Sequence, residues 1–411
     1  MNFSHRLLGL FATLFIPLHS SADTSSINIY LDADRSNYIE SARSIEQGIK
    51  TAFQEVDNTI QGRKDNFVVL DHKGNSVRSK KNMAKFLNDP DALVIFAGLH
   101  SPPLIKYREY INKNQILTLV PWAAGAPITR YPSKENWVFR LSIDDKKAGE
   151  RMASFAVKDR KCKTPHLLLE ETPWGKSNQR NMTLAIGNFG LAEPKVTWFN
   201  WGINESGARI KIREIKRANA DCILMVSNAS EGVQVVNAMA SIPLEERLPI
   251  VSHWGITGGD FAEKVPHAIR SRLDLYVIQT CFSFLSSPET SLSTSVLEQA
   301  IQLFPSEIQT PNDINAPTGF IHGYDLSRVL IQALSQIELG EDMVENRAKV
   351  RLALESVDAP VKGLVKTYHT PFSAFSDDQP DAHEALGLED LCMAKFNQTN
   401  NIAVIQKNNV R

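Results

Sequence analysis

The chain has 411 residues, of which 43% are hydrophobic and 22% charged, with 45 basic and 46 acidic side chains. This balance excludes disorder, collagen-like repeats and a coiled coil, and the length predicts two or three domains of about 100–200 residues each. A net charge of −1 supplies no long-range field for phosphate-rich partners, so no nucleic-acid role is expected.

The first 22 residues differ from the rest. His5 and Arg6 precede the uncharged apolar run Leu7 to Leu18, and Ser20-Ser21-Ala22 place small residues at a cleavage position. This order is that of a secretory signal. The run is shorter than the about 20 residues that a membrane span requires. No cysteine lies near the cut, which argues against a lipid anchor. Residues 1–22 are therefore read as a signal peptide, with a buried N-terminal helix as the alternative. The mature protein is expected to be soluble, monomeric and periplasmic, exported in a Gram-negative cell.

Export bears on the cysteines, because oxidising compartments permit disulfides. Cys162, Cys222, Cys281 and Cys392 are too scattered for a zinc site with short ligand spacings. Cys162 and Cys222 each stand just before an apolar run, so a bridge between them follows if those runs form neighbouring strands. Four separate thiols are the alternative.

From Ala22 onward, strand-like runs alternate with helical ones. Ile27–Leu31 reads as a strand, and the helix that follows carries Ala42, Ile45, Ile49, Ala52, Phe53 and Val56 on one face. Strands are predicted at 67–70, 93–97 and 116–120, with helices at 79–87 and 104–112 between them. Continuous apolar runs such as Leu93–Ala97 suit strands covered on both faces. The alternation then repeats, with strands at 166–169, 196–199, 222–226 and 249–252 separated by helices at 177–188, 207–218 and 231–241. Trp137–Leu141 and Leu275–Thr280 read as joints. Helices near 290–303, 322–336 and 344–354 follow, and short strands near 363–367 and 391–396 end the chain.

The predicted fold is α/β, with two doubly wound parallel-sheet lobes joined by a hinge of crossover segments. Lobe 1 is expected at 23–140 and 281–357, lobe 2 at 141–280, and a C-terminal segment at 358–411 returns to lobe 2 and the hinge. In open α/β sheets, ligands bind beyond the carboxyl ends of the strands. The loops there are Asp32–Tyr38, Gly98–Pro103 and Pro121–Gly125 in lobe 1, with Glu171–Gly175, Ser227–Ala229 and Ser252–Gly255 in lobe 2. Their aromatics, hydroxyls and small residues suit a small polar solute with a flat or apolar side.

These loops carry a family resemblance. The chain resembles periplasmic solute-binding proteins of ATP-binding-cassette importers, of the branched-chain amino acid and amide type with a type I periplasmic fold. The resemblance rests on helix Ser44–Phe53, Gly98–Pro103, Pro121–Gly125, Trp174–Asn178, Ser252–Asp260, Gly323-Tyr324-Asp325 and Pro371-Phe372-Ser373 with His383. It implies a receptor that closes two lobes on a small solute and is read by membrane permease subunits.

The resemblance also places site residues. In amino-acid-binding members, a Ser and backbone groups of lobe 1 hold a carboxylate, and Ser101 with Trp122, Ala123 and Ala124 occupies those places. A Tyr-Gly pair that walls the site in such members is Trp174-Gly175 here. An acid that holds the ligand's ammonium group in a later lobe 2 loop has no counterpart, since that region is His253-Trp254-Gly255. This departure argues against an α-amino acid. His100, Ser227 and Asn228 complete the candidate set, each with a local hydrogen-bonding or capping role as the alternative.

Catalytic motifs are lacking. Gly175-Lys176-Ser177 resembles the end of a phosphate-binding loop, but Glu170 stands where that loop needs Gly. There is no G-x-S-x-G elbow and no H-E-x-x-H helix. No enzyme activity, cofactor or metal is expected. The alternatives to an import receptor are a ligand sensor reporting to a membrane kinase or chemoreceptor, and a secreted enzyme.

Overall fold

A computed structural model of the chain describes residues 26–133, 135–399 and 401–405. The expected signal peptide, residues 1–22, lies outside them. Among the described residues, no helix is long and apolar enough to cross a membrane.

The first sheet contains β1 (Ile27–Ala33), β2 (Thr59–Ile60), β3 (Arg63–Asp71), β4 (Ala92–Ala97), β5 (Thr118–Val120) and β6 (Val138–Arg140). Their spatial order is β2-β3-β1-β4-β5-β6. All neighbours are parallel except β2, which turns back antiparallel onto β3. Every residue of β4 is buried, as its unbroken apolar run requires when helices cover both faces. Helix Ile39–Gln54 turns Ala42, Ile45, Ile49 and Phe53 into the core. Against it packs helix Pro317–Ser335, from far along the chain. The single helix expected at 104–112 is two short ones, Ser101–Lys106 and Arg108–Lys113, because Tyr107 leaves the helical backbone region between them.

The second lobe holds β7 (Pro165–Glu170), β8 (Val196–Phe199), β9 (Cys222–Val226), β10 (Ile250–Ser252) and β11 (Leu275–Thr280). A small ribbon, β12 (Val361–Lys362) with β13 (Thr367–Tyr368), precedes β14 (Leu391–Phe396) and β15 (Ile402–Val404). The second sheet runs β15-β14-β11-β10-β9-β7-β8, and its last two strands in the chain are antiparallel. Both expected joints are thus regular strands, β6 and β11, and the chain crosses between lobes just after each. The ribbon does not join lobe 2. Asp325, on helix Pro317–Ser335, accepts hydrogen bonds from the Leu364 and Val365 amides and the Tyr368 hydroxyl, which ties the ribbon to lobe 1.

Cys162 is bonded to Cys222 at the starting ends of the paired strands β7 and β9, and Cys281 is bonded to Cys392. Among the described residues, the one grouping compact enough to hold a metal is Cys162, Asp221 and Cys222, whose sulfurs are already in the disulfide.

Three crossings connect the lobes, and they are fastened side by side. Arg140, ending β6, forms an isolated parallel bridge with Glu384, just ahead of the third crossing. The Cys281–Cys392 bond links the second crossing to the third. Around the first, Arg140 contacts Asp144 at 3.0 Å and Glu384 at 2.8 Å, with the Arg140 and Glu384 side chains fully buried. Arg130 joins both acids at 2.9 Å, and Lys147 reaches Glu384 at 2.9 Å. Burial alone would raise the Glu384 carboxyl, but Arg140, Arg130 and Lys147 hold it well below its usual range. Asp144 also caps helix Asp145–Ser154 by accepting the Lys147 amide. Removing one partner from such a network leaves buried charge uncompensated. Glu384→Gln is expected to cost about 3 kcal/mol in urea unfolding; a loss under about 0.5 kcal/mol would show that the network is not needed for stability.

Candidate functional site

Strand order decides where the site lies. In the first sheet, β1 stands between β3 and β4, so successive connections leave in opposite directions beside it. In the second sheet, β7 holds the same place between β8 and β9. Crevices open at such switch points. The loops after β4, β5, β7, β9 and β10 meet there, one lobe against the other.

The lobes are in contact. The Tyr38 hydroxyl lies 2.7 Å from the Ser230 hydroxyl and donates to Glu231 at 3.4 Å. The Ala126 amide donates to Ser177 Oγ at 3.2 Å. The Trp122 and Trp254 rings meet with centroids 6.1 Å apart and planes tilted by 49°. Between the lobes lies a cavity of about 10 Å³, lined by Leu99, His100, Ser101, Pro102, Trp122, Ala124, Glu170, Trp174, Asn228 and Trp254. Space on that scale holds about one water molecule.

Each wall residue has a local reason for its place. Trp174 sits in the first turn of helix Pro173–Gly187, whose start is set by Pro173 and by Thr172 accepting the Gly175 amide at 3.3 Å. Gly175 is required, because a Cβ there would collide with the Glu170 carbonyl. Gly255 meets the same demand, since a Cβ would strike the Ser227 carbonyl and the Trp174 ring. The Trp174 indole N–H donates to Asp145 at 3.0 Å, which fixes the ring.

The candidate residues divide between the wall and the layer behind it. His100 lines the cavity, yet its Nε2 lies 3.1 Å from Asp34 within lobe 1. Burial would raise Asp34, but hydrogen bonds from His100 and Asn37 hold its carboxyl well below the usual range. The Ser101 hydroxyl accepts the Gly125 amide at 3.0 Å rather than capping its own helix. Asn228 begins helix Ala229–Ala240 without a side-chain cap, and its amide donates instead to Glu170 at 3.0 Å. Ala123, Ser227 and His253 are buried but do not line the cavity. Ser227 donates to the Asn228 carbonyl, and His253 is wedged between Trp174 and Trp254 with its Nε2 3.4 Å from Asp145.

Leu99, Pro102 and Glu170 are the wall residues missing from the sequence-derived set, and Glu170 alone of them is ionisable. Glu170 ends β7, but it fell between the expected strand at 166–169 and the loop read from Glu171 onward. Its side chain is buried, accepting from Thr172 at 2.9 Å and Asn228 at 3.0 Å, with further help from the Trp201 indole. Burial pushes its carboxyl up to about 8. A carboxylate therefore does stand at this cleft, at the end of a different strand from the one the resemblance pointed to. Asp145 was also missed, because no element was expected between 141 and 166, where helix Asp145–Ser154 lies.

Two α/β lobes, three crossings and a cavity at both switch points define a type I periplasmic binding fold. A profile of the periplasmic binding protein family matches residues 30–380, and the chain belongs to that family. No curated protein matches it by sequence. A type 1 periplasmic binding protein from Bordetella pertussis Tohama I is similar in structure, with a TM-score of 0.77 and 17% identity over 93% of this chain and 100% of that one. A leucine binding protein from Thermotoga maritima gives 0.73 and 15%, covering 92% and 98%. A solute binding protein of an ABC transporter from R. palustris, in complex with benzoate, gives 0.73 and 14%, covering 93% and 96%. At such identities the likeness shows the fold alone.

The raised Glu170 carboxyl has a stability consequence of definite sign. The folded protein keeps a proton that the unfolded chain releases near pH 4.5, so Glu170 weakens the fold increasingly between pH 4.5 and about 8. Glu170→Gln is expected to leave the thermal midpoint nearly unchanged at pH 4.5 and to raise it at pH 9. A larger gain at the acid end would contradict a carboxylate desolvated at this position.

Proposed function

We propose that the protein is the periplasmic solute receptor of an ABC importer, holding a small polar solute between its lobes and presenting the closed form to a membrane permease. The observation that carries this reading is the interlobe cavity at the switch points of both sheets, walled by three tryptophans from two lobes. A cavity of about 10 Å³ admits no organic solute while the lobes touch. Entry therefore requires the lobes to part about the three crossings, and closure follows as solute bridges them. The solute can shift that balance only by its extra affinity for the closed state.

The protein acts as a soluble monomer in the periplasm, delivered by the signal peptide at 1–22. Its family consists of binding proteins, and the buried histidines do not supply a catalytic centre. His322 is bonded to the Pro121 carbonyl at 3.1 Å, and burial pulls its pKa down to about 4. His72 is likewise pulled down to about 4 by burial.

Native mass spectrometry of protein purified from its own periplasm tests the reading. The expected result is one small molecule bound per chain and released chemically unchanged. A released compound that differs from the one taken up would favour an enzyme. Trp174→Ala is expected to weaken solute binding by about 2 kcal/mol or more, as for buried aromatic anchors. Unchanged affinity would move Trp174 to a purely structural role.

A further inference from the structure

Around the cleft, buried carboxylates outnumber any cation that faces them. Asp34, Asp145, Glu170 and Glu231 are each at most 4% exposed. At the crossings, buried Asp144 and Glu384 are met by Arg130, Arg140 and Lys147. No Lys or Arg ion pair to the four cleft acids occurs among the described residues, and none lines the cavity. Asp34 and Asp145 have His100 and His253 beside them. Glu170 and Glu231 have only neutral donors. Those of Glu231 are the Gly202 amide and the Ser230 and Tyr38 hydroxyls.

These acids converge on one region. Besides burial, Glu231, Glu170 and Asp34 together hold the Tyr38 phenol well above its usual range, so all three act at the lobe contact. Of the four, Glu170 is the one whose side chain reaches the cavity wall, where Trp122, Trp174 and Trp254 stand with it. Indole faces attract cations, most strongly when water is excluded. A buried carboxylate without a cation is costly, and a ligand cation relieves that cost.

We propose that the solute is a small organic cation, with its charged nitrogen set against Glu170 and the indoles of Trp122, Trp174 and Trp254. This assignment rests on the receptor reading above and narrows it to one charge class. A carboxylate ligand would find no Lys or Arg on the wall to hold it, and would lie near the Glu231 and Asp34 side chains. A zwitterion would bring the same unmatched carboxylate with it. The cation neutralises Glu170, and because that carboxyl is held up near 8, its binding near neutral pH displaces a proton from the site.

The test is a thermal-shift measurement on the mature protein against four matched sets of small solutes, followed by calorimetric titration of every solute that binds. The sets are quaternary ammonium ions with primary amines, zwitterionic amino acids, neutral amides and carboxylates. Stabilisation is expected from the cation set alone. Glu170→Gln should lower the affinity of those cations at least about thirtyfold while remaining folded. Proton release on binding should appear as a calorimetric heat that changes with the buffer's ionisation enthalpy. Tight binding from another set, or cation binding unchanged in Glu170→Gln, overturns the charge assignment and leaves the receptor reading standing. No stabilisation from any set counts against both.

Discussion

The structure depends on three chain crossings being held as one unit. A two-lobe protein whose connections moved independently would bring no particular pair of loops together. Here the Arg140–Glu384 bridge binds the first crossing to the third, and the Cys281–Cys392 bond binds the second to the third. The buried Arg130–Arg140–Asp144–Glu384 cluster then fixes the start of lobe 2's first helix relative to the last strand of lobe 1. With that side of the molecule fixed, the remaining freedom between the lobes lies on the other side, where the loops after the strands face one another.

The two ends of the molecule treat buried charge in opposite ways. At the crossings, acids are matched by arginines and a lysine, so the charge there stabilises one arrangement of the backbone. At the cleft, Glu170 and Glu231 are left with neutral donors, and Glu170 keeps a proton up to about pH 8, so the closed lobes carry a demand for positive charge that no side chain meets. A site that keeps such a demand gives up stability in order to recognise a ligand, which is a familiar cost of function. The aromatic walls complement it, because three indoles exclude water while offering a negative face.

Much of this was legible in the sequence. The apolar runs located the central strands, since burial on both faces leaves little choice of residue. The loops after those strands contained seven of the cavity's ten wall residues among the named candidates. The rest depended on distances that no local pattern encodes. Glu170 falls just past the expected strand at 166–169, and only its pairing with Asn228, 58 positions away, shows that its side chain lies at the cleft. Helix Asp145–Ser154 did carry a signal, with Asp144 as a cap and Ala148 and Met152 four apart, but no element was assigned there. The pairing of Arg140 with Glu384 spans 244 positions and leaves no local trace. His253 and Ser227 sit in the right loops yet one layer too deep, because Trp254 and Asn228 take the wall instead.

The central claim is that the lobes part about these crossings and close on solute. Small-angle X-ray scattering of the mature protein, with its solute removed and then at saturation, tests this most directly. The radius of gyration should fall on saturation, and the saturated curve should match the closed arrangement in which Tyr38 meets Ser230. An identical radius in both states, with binding verified in the same sample, would contradict closure.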